Sequence, residues 1–173
     1  MSKDTYYLRI AQAVASESKC LSRQIGAILV KDKSIISTGY NGPPRGVPHC
    51  DERYTCDAYL MESLEKINGP RVYDPKVCPR RAMGFQSGEG LHFCIASHAE
   101  VNCINNAARQ GIATYGSSMY LSCEILPCKS CLCEIINAGI QEVVVVEYNP
   151  YDRTSLFLIQ HSGLRIRTYS ASG

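Results

Sequence analysis

The chain has 173 residues, the length of one compact domain, and its 45% hydrophobic and 20% charged residues predict a buried core rather than disorder. Its 18 basic and 16 acidic side chains leave a net charge of +2, which argues against nucleic acid and anionic membranes as partners. No apolar run is long enough to span a bilayer and the first residues lack the apolar segment of a signal peptide, so we expect a cytoplasmic protein.

The first predicted elements are a helix and a β-hairpin. Asp4 is a suitable N-cap for a helix in which apolar residues from Tyr7 to Ala15 recur at helical spacing. Residues 25–30 and 34–39 are rich in β-branched and other apolar residues and flank the polar turn 31–33, a pattern typical of a hairpin.

The segment at about 43–90 differs in texture from the rest of the chain. Six of the eight prolines fall within it, and its one helical pattern, near 57–67, ends at Asn68-Gly69-Pro70. We therefore predict a single domain that spans 1–173 and carries an irregular insertion, containing proline and cysteine, at about 43–90.

The second half of the chain alternates helices with strands. Helices are predicted at 97–110, 128–138 and 154–161, and strands at 118–122, 142–147 and 164–169. Four consecutive valines in the middle strand indicate burial on both faces, as in a parallel sheet covered by helices. The element order predicts a three-layer α/β/α sandwich around a mixed sheet of about five strands, mostly parallel in its second half.

The cysteine content is unusual for a cytoplasmic chain. Ten cysteines are present, and disulfides are rare where thiols are kept reduced. Burial as small apolar side chains accounts for some of them, and metal binding is the leading explanation for the clustered ones.

Two short motifs together predict a catalytic zinc site. Cys128 and Cys131, after Pro127 in the first turn of a predicted helix, share one helix face, where the helix dipole favours thiolates. His98, at the start of another helix, supplies a third ligand and leaves the fourth tetrahedral position open for water. Glu100 can reach the same water without binding the metal and move its protons.

Each motif alone has a simpler explanation. Ser97 and Glu100 have the spacing of a capping box, and His98 alone is an ordinary histidine. The Cys128–Cys131 spacing also occurs in structural zinc fingers and redox pairs. Their combination favours the catalytic site.

The pattern H-x-E followed by P-C-x-x-C is typical of zinc nucleobase deaminases, and over nearly its whole length the chain resembles the zinc-dependent cytidine/deoxycytidylate deaminase superfamily. Within it the likeness is greatest to the deoxycytidylate (dCMP) deaminases. Three stretches carry this narrower resemblance: Ser18-Lys19-Cys20, Ser37-Thr38-Gly39-Tyr40-Asn41-Gly42 and His98-Ala99-Glu100-Val101-Asn102.

The resemblance implies a cytidine-deaminase-like fold and hydrolysis of dCMP to dUMP and ammonia, which feeds thymidylate synthesis. It implies attack of zinc-activated water on C4 of cytosine, with Glu100 moving protons to N3 and to the leaving amine. Asn41 matches a position that contacts the sugar and base. For the phosphate, which needs cationic or other donors, the candidates are Arg23, Tyr151 and Arg153, from loops expected beside the site.

The resemblance also implies regulation and assembly. Members of the family are typically activated by dCTP with Mg²⁺ and inhibited by dTTP, and the loop Gly39-Tyr40-Asn41-Gly42 resembles the effector region. They are usually homohexamers, and Arg109 lies where a subunit contact is expected. A cation at a helix end is also explained by the helix dipole alone.

A second, structural zinc is found in many relatives, and an insertion with little apolar periodicity benefits from such a cross-link. Its potential ligands here also include Cys56 and Cys78, but the preferred set is Cys20, His49, Cys50, His92 and Cys94. Cys103, Cys123 and Cys133 are interpreted as packing residues.

Alternative functions remain open on the same fold. A tRNA adenosine deaminase would carry a strong basic patch, whereas only a local basic stretch occurs at Arg71, Lys76, Arg80 and Arg81. A deaminase of free cytidine or of dCTP is a second alternative. A non-catalytic zinc-binding module would fill the fourth zinc position with protein and tolerate replacement of Glu100.

Overall fold

The fold is described from a computed structural model over residues 2–169. The helices are α1 (Lys3–Ala15), α2 (Arg53–Cys56), α3 (Ala58–Asn68), α4 (Pro79–Ala82), α5 (Ala99–Arg109), α6 (Lys129–Asn137) and α7 (Arg153–Ser162), with a 3₁₀ turn at Leu91–Phe93. The strands are β1 (Gly26–Lys31), β2 (Ser34–Tyr40), β3 (Ser118–Leu121), β4 (Glu142–Val145) and β5 (Arg165–Thr168).

The five strands form one mixed sheet in the order β2-β1-β3-β4-β5. β1 pairs antiparallel with both β2 and β3, whereas the pairs β3–β4 and β4–β5 are parallel. Asp32 and Lys33, both with positive φ, form the two-residue turn of the predicted β1–β2 hairpin. The predicted mixed sheet, with its parallel second half, is confirmed.

Helices cover both faces of this sheet. On one face, Tyr7 and Ala11 of α1 pack with Ile28 and Val144. On the other, α5, α6 and parts of α7 pack against side chains of β1, β3 and β4. All four residues of β4 are buried, because the strand is covered on both faces. The three-layer α/β/α prediction is therefore confirmed.

The chain divides into two compact units. Of the described residues, the first contains 2–18, 25–41 and 98–169, and so includes the whole sheet. The second contains 19–24 and 42–97. It takes in the insertion expected at about 43–90, and that one deaminase domain spans the chain stays a prediction.

The second unit has a core of its own around α3. Six buried side chains form it: Tyr54, Leu60, Leu64, Tyr73, Met83 and Phe93. α3 begins after Asp57, whose side chain accepts a hydrogen bond from the Leu60 amide, and its C-cap is Gly69 at φ 78°. The helix predicted near 57–67 is confirmed.

The start of α1 differs from the prediction. Its N-cap is Ser2, whose side chain accepts a hydrogen bond from the Thr5 amide, and Asp4 lies in the first turn. The Asp4 carboxylate instead accepts two hydrogen bonds from Arg167, at 2.6 and 3.0 Å. Asp4, which the sequence predicts as the N-cap, therefore forms a tertiary ion pair instead.

Within residues 2–169, no helix combines the length and the apolar character that crossing a bilayer requires.

Candidate metal centre and active site

The first turn of α5 holds two of the predicted site residues. His98 is the N-cap, with extended backbone at φ −74° and ψ 154°, and its side chain caps nothing. The imidazole is exposed and available for other contacts. The N-cap is therefore His98 and not Ser97, the position that a capping box with Glu100 would require.

The start of α6 holds the other two. Cys128 is the N-cap and Pro127 lies one position before it, so the prediction that Pro127 occupies the first helical turn is wrong. Cys131, three residues after the cap, is almost completely buried at 1% exposure. Both sulfur atoms are at the helix N-terminus, where the macrodipole stabilises negative charge.

The side chains of these three residues converge. The Nδ1 atom of His98 lies 3.2 Å from the Sγ atom of Cys131 and 3.6 Å from that of Cys128. Among the histidine, cysteine and acidic side chains of residues 2–169, this is the one group of three whose ligand atoms all lie within 4.8 Å of one another.

The donor set fits zinc. Tetrahedral zinc with one imidazole nitrogen and two thiolates separates its donors by about 3.5–3.8 Å, from bond lengths of about 2.0–2.1 and 2.3 Å. The separations around His98 are close to those values. Three protein ligands are the number found in catalytic zinc sites, which keep one position for water or substrate.

The electrostatics of the group favour metal binding. Hydrogen bonding from Cys131, then from His98, lowers the pKa of Cys128 to about 4. The hydrogen bond with Cys128 raises the pKa of Cys131, because two adjacent sulfur atoms do not both ionise readily. The hydrogen bond with Cys128 also raises the pKa of His98. A divalent cation would relieve this competition for protons.

Glu100 lies beside the three ligands. The residue is 6% exposed, and burial raises the pKa of its carboxyl group. The charges of His98 and Cys128 act on the same carboxyl group, and the Cys131 thiol is hydrogen-bonded to it. A carboxylate with a raised pKa next to a metal site is suited to accept and return a proton.

Asn41, the candidate contact for the sugar and base, follows β2 and is buried. Its Oδ1 atom accepts hydrogen bonds from the Ser18 hydroxyl at 2.9 Å and from the Ile25 amide at 2.8 Å. These two bonds fix the orientation of the side-chain amide. Of the predicted effector loop, Gly39 and Tyr40 end β2, with Tyr40 41% exposed, and Gly42 follows in the second unit.

The phosphate candidates are exposed. Tyr151 lies just before α7, and Arg153 is the first residue of that helix, after the N-cap Asp152. Arg23 lies in the second unit. Arg109, the candidate subunit contact, is exposed in the last turn of α5. The roles assigned to these residues stay predictions.

The second metal set lies in the second unit, and its ligand atoms do not meet the 4.8 Å spacing of the His98 group. The electrostatic neighbours of Cys50 include Cys78, Cys94 and Cys20, and its burial raises the pKa of its thiol to about 11. His92 is exposed, with its ring centroid 4.3 Å from that of Phe93, and His49 is half-buried. This set also stays a prediction.

Two residues near these groups were not selected from the sequence. Cys78, a member of the wider pool, is buried and adjacent enough to Cys50 to influence its pKa. Asn102 appeared only as part of a motif, and its side-chain amide donates a hydrogen bond to the Tyr40 carbonyl at 2.8 Å. No local sequence pattern predicts either contact, because each joins residues that are distant in sequence.

The sequence matches a known family over most of its length. The family described as "Cytidine and deoxycytidylate deaminase zinc-binding region" matches residues 1–147. Deoxycytidylate deaminase of Schizosaccharomyces pombe is 32% identical over 97% of this chain, but the match spans 44% of that protein. Deoxycytidylate deaminase of Enterobacteria phage T2 is 34% identical, with 87% of this chain and 82% of that protein covered.

A solved structure has the same fold. The crystal structure of dCMP deaminase from the cyanophage S-TIM5, in complex with dCMP and dUMP, superposes with a TM-score of 0.63 at 22% identity. The match covers 95% of this chain and 94% of that one. At this identity the likeness establishes the common α/β/α architecture.

Proposed function

The chain belongs to the cytidine and deoxycytidylate deaminase family, and on that premise we propose that it hydrolyses dCMP to dUMP and ammonia. The observation that carries the proposal is the convergence of His98, Cys128 and Cys131, with the buried carboxyl group of Glu100 beside them. Relatives from a fungus and a phage that bear the name deoxycytidylate deaminase support dCMP as the substrate.

In the proposed mechanism, His98, Cys128 and Cys131 would hold zinc, which when bound would acidify a water molecule and so supply a nucleophile near neutral pH. Glu100 takes a proton from that water and delivers it to N3 of cytosine, and a second transfer protonates the leaving amine. One water is consumed, the C4–N4 bond breaks, C4 becomes a carbonyl and ammonia leaves.

Substrate orientation is assigned to residues outside the metal set. We propose that Asn41, held by Ser18 and Ile25, contacts the sugar and base. The phosphate would be bound by Arg23, Tyr151 and Arg153. Exposed cationic and phenolic donors are suited to a dianionic group, and Arg153 also begins a helix, whose dipole favours an anion.

Regulation and assembly are proposed from the family resemblance. dCTP with Mg²⁺ would activate the enzyme and dTTP would inhibit it, through Gly39, Tyr40, Asn41 and Gly42. The exposed ring of Tyr40 and the exposed guanidinium of Arg109 support an effector contact and a hexamer contact, respectively. We also propose a cytoplasmic location, where cysteines stay reduced and Cys128 and Cys131 remain available to bind zinc.

A second zinc is proposed in the second unit. Cys50 with Cys20 and Cys94 would supply three of its ligands, and the mutual influence of these thiols supports their proximity. The fourth would come from His49 or His92 of the predicted set, or from Cys78, which is another neighbour of Cys50. The zinc content per chain distinguishes one site from two.

The test is ammonia release by the purified protein. Wild type should turn over dCMP, with a rate that rises with dCTP–Mg²⁺ and falls with dTTP, and the Glu100→Gln variant should lose about 10²–10⁴-fold in kcat while retaining zinc. Cytidine, dCTP and a tRNA are tested separately as alternative substrates. Turnover of one of these compounds without turnover of dCMP would show that the enzyme deaminates a different substrate. An active Glu100→Gln variant would contradict the proposed mechanism.

A further inference from the structure

The catalytic helix lies along an edge strand. Within residues 2–169, β2 is an edge strand that pairs with β1 on one side only, and α5 packs along it. The side-chain amide of Asn102 donates to the Tyr40 carbonyl, and that of Asn106 donates to the Thr38 carbonyl, each at 2.8 Å. The first role of these bonds is to satisfy carbonyl groups that no neighbouring strand covers.

The two hydrogen bonds match the repeats of helix and strand. Asn102 and Asn106 are one helical turn apart, which is about 6.0 Å along the helix axis. Thr38 and Tyr40 are two strand residues apart, which is about 6.6 Å along the strand. Because these spacings agree and the order is reversed, both bonds form together only when the helix runs antiparallel to β2 in a single register.

Close backbone packing makes that register hard to change. A Cβ atom placed on Gly39 would lie 2.3 Å from the Cys103 amide nitrogen and 2.7 Å from the Ala99 carbonyl oxygen. The Ser37 hydroxyl donates to the Cys103 carbonyl at 2.7 Å, which adds a third contact between the same strand and helix. Displacement of α5 along β2 by one residue, about 1.5 Å, would break the hydrogen bonds of Asn102, Asn106 and Ser37 together.

This register connects the two ends of the site. His98 and Glu100 are at the start of α5, and Asn41 directly follows β2. The distance between the metal ligand and the predicted substrate contact is therefore set by how the helix sits on the strand.

We propose that Asn102 and Asn106 are positioning residues that fix the axial register of α5 on β2. They thereby place His98 for the metal and Glu100 relative to the substrate bound at Asn41. The part that concerns catalysis rests on the proposed function, whereas the part that concerns metal affinity does not.

The test compares the double variant Asn102→Ala/Asn106→Ala with Asn105→Ala, which removes an exposed asparagine from the same helix. Zinc affinity is measured by competition with a chromophoric chelator. The double variant should bind zinc about 10–100-fold more weakly, a loss in the range for residues that orient a metal ligand, because α5 would no longer be held in the register that places His98 beside Cys128 and Cys131. Asn105→Ala should match wild type. Equal zinc affinity of the double variant and wild type would overturn the proposal.

Kinetics on dCMP separate positioning from simple stabilisation. With zinc saturating, kcat of Asn102→Ala should fall about 10–100-fold while KM changes less than about threefold, because Glu100 is misplaced but the substrate contacts remain. Asn102→Gln keeps a donor and should recover part of this loss. A lower melting temperature with unchanged kcat would show a merely structural role. If wild type does not turn over dCMP, the proposed function fails and the zinc measurements still decide the role of the asparagines.

Discussion

The ten cysteine side chains differ sharply in their surroundings. Cys103, on α5, has no exposed surface, and burial raises the pKa of its thiol to about 12. Cys128 has the opposite environment, with a pKa of about 4 set by hydrogen bonds from Cys131 and His98. Cys133, on α6, is exposed, so its interpretation as a packing residue is wrong, whereas that of Cys103 is confirmed.

This difference predicts selective alkylation at pH 8. The thiolate is the reactive form, and raising a thiol pKa from about 9 to about 12 lowers the thiolate fraction at this pH roughly 10³-fold. Cys103, which is also buried, should therefore react with iodoacetamide far more slowly than the exposed Cys133 in the folded protein, as measured by peptide mass spectrometry. The two should react alike in guanidinium chloride. Comparable rates in the folded protein would show that the core around α5 opens readily.

At the residue scale, the sequence predicts which side chains could bind a metal better than it predicts which side chains hydrogen-bond to one another. His98, Cys128 and Cys131 could be grouped because their spacing and residue types are those of a zinc site. The contacts of Asn102 with Tyr40 and of Asn41 with Ser18 could not be predicted, since each joins segments more than 20 residues apart. Only the fold brings such donors and acceptors together.

At the element scale, a close backbone contact between β2 and α5 positions the site. Gly39 permits it, because hydrogen is the only side chain that fits against Cys103 and Ala99. Gly42, three residues later, has no atom within 4 Å of an added Cβ and lacks a positive φ. The two glycines therefore form a matched pair for substitution.

Gly39→Ala should destabilise the protein by at least about 1–3 kcal/mol, since the added methyl group must displace helix backbone rather than a flexible side chain. Zinc affinity should fall with it, because α5 carries His98. Gly42→Ala should change the free energy of unfolding by less than about 0.5 kcal/mol. Urea denaturation of the two variants and wild type measures both values, and a Gly39→Ala protein as stable as wild type would contradict this view of the interface.

Element prediction succeeded where hydrophobic periodicity was long. The hairpin, α3 and the alternating second half were predicted because each has several residues at strand or helix spacing. The four-residue helices α2 and α4 were not, since a single turn shows no periodicity. The start of α1 was mispredicted because Ser2 and Asp4 are both good caps, and the sequence does not show that Asp4 bonds to the distant Arg167.

At the scale of the first unit, an ionic network joins the beginning and the end of the described chain. Arg167 on β5 donates two hydrogen bonds to Asp4 on α1, at 2.6 and 3.0 Å, and one to Glu142 on β4 at 3.1 Å. It also donates to the Tyr120 hydroxyl at 3.2 Å. Arg165 donates a further bond to Glu142 at 2.7 Å from the surface.

The sequence predicted the sheet but not the ionic network that stabilises it. Alternating helices and strands predict a layered fold through the general rules of chain topology. Those rules do not state which charged residues meet across 163 positions of sequence. The edge strand β5 was predicted from its alternating arginines, yet the pattern alone shows only that they lie on one face of the strand.

Arg167→Met should therefore lower stability far more than Arg165→Met. The side chain of Arg167 is 34% exposed, and its removal leaves the largely buried carboxylates of Asp4 and Glu142 short of partners. We expect a loss of about 2–3 kcal/mol, below the usual range for fully buried pairs because Arg167 is partly solvated. The side chain of Arg165 is 70% exposed, so its removal should cost less than about 1 kcal/mol. Urea denaturation at neutral pH measures both losses. Equal losses would show that the contact between α1 and β5 contributes little to the stability of the first unit.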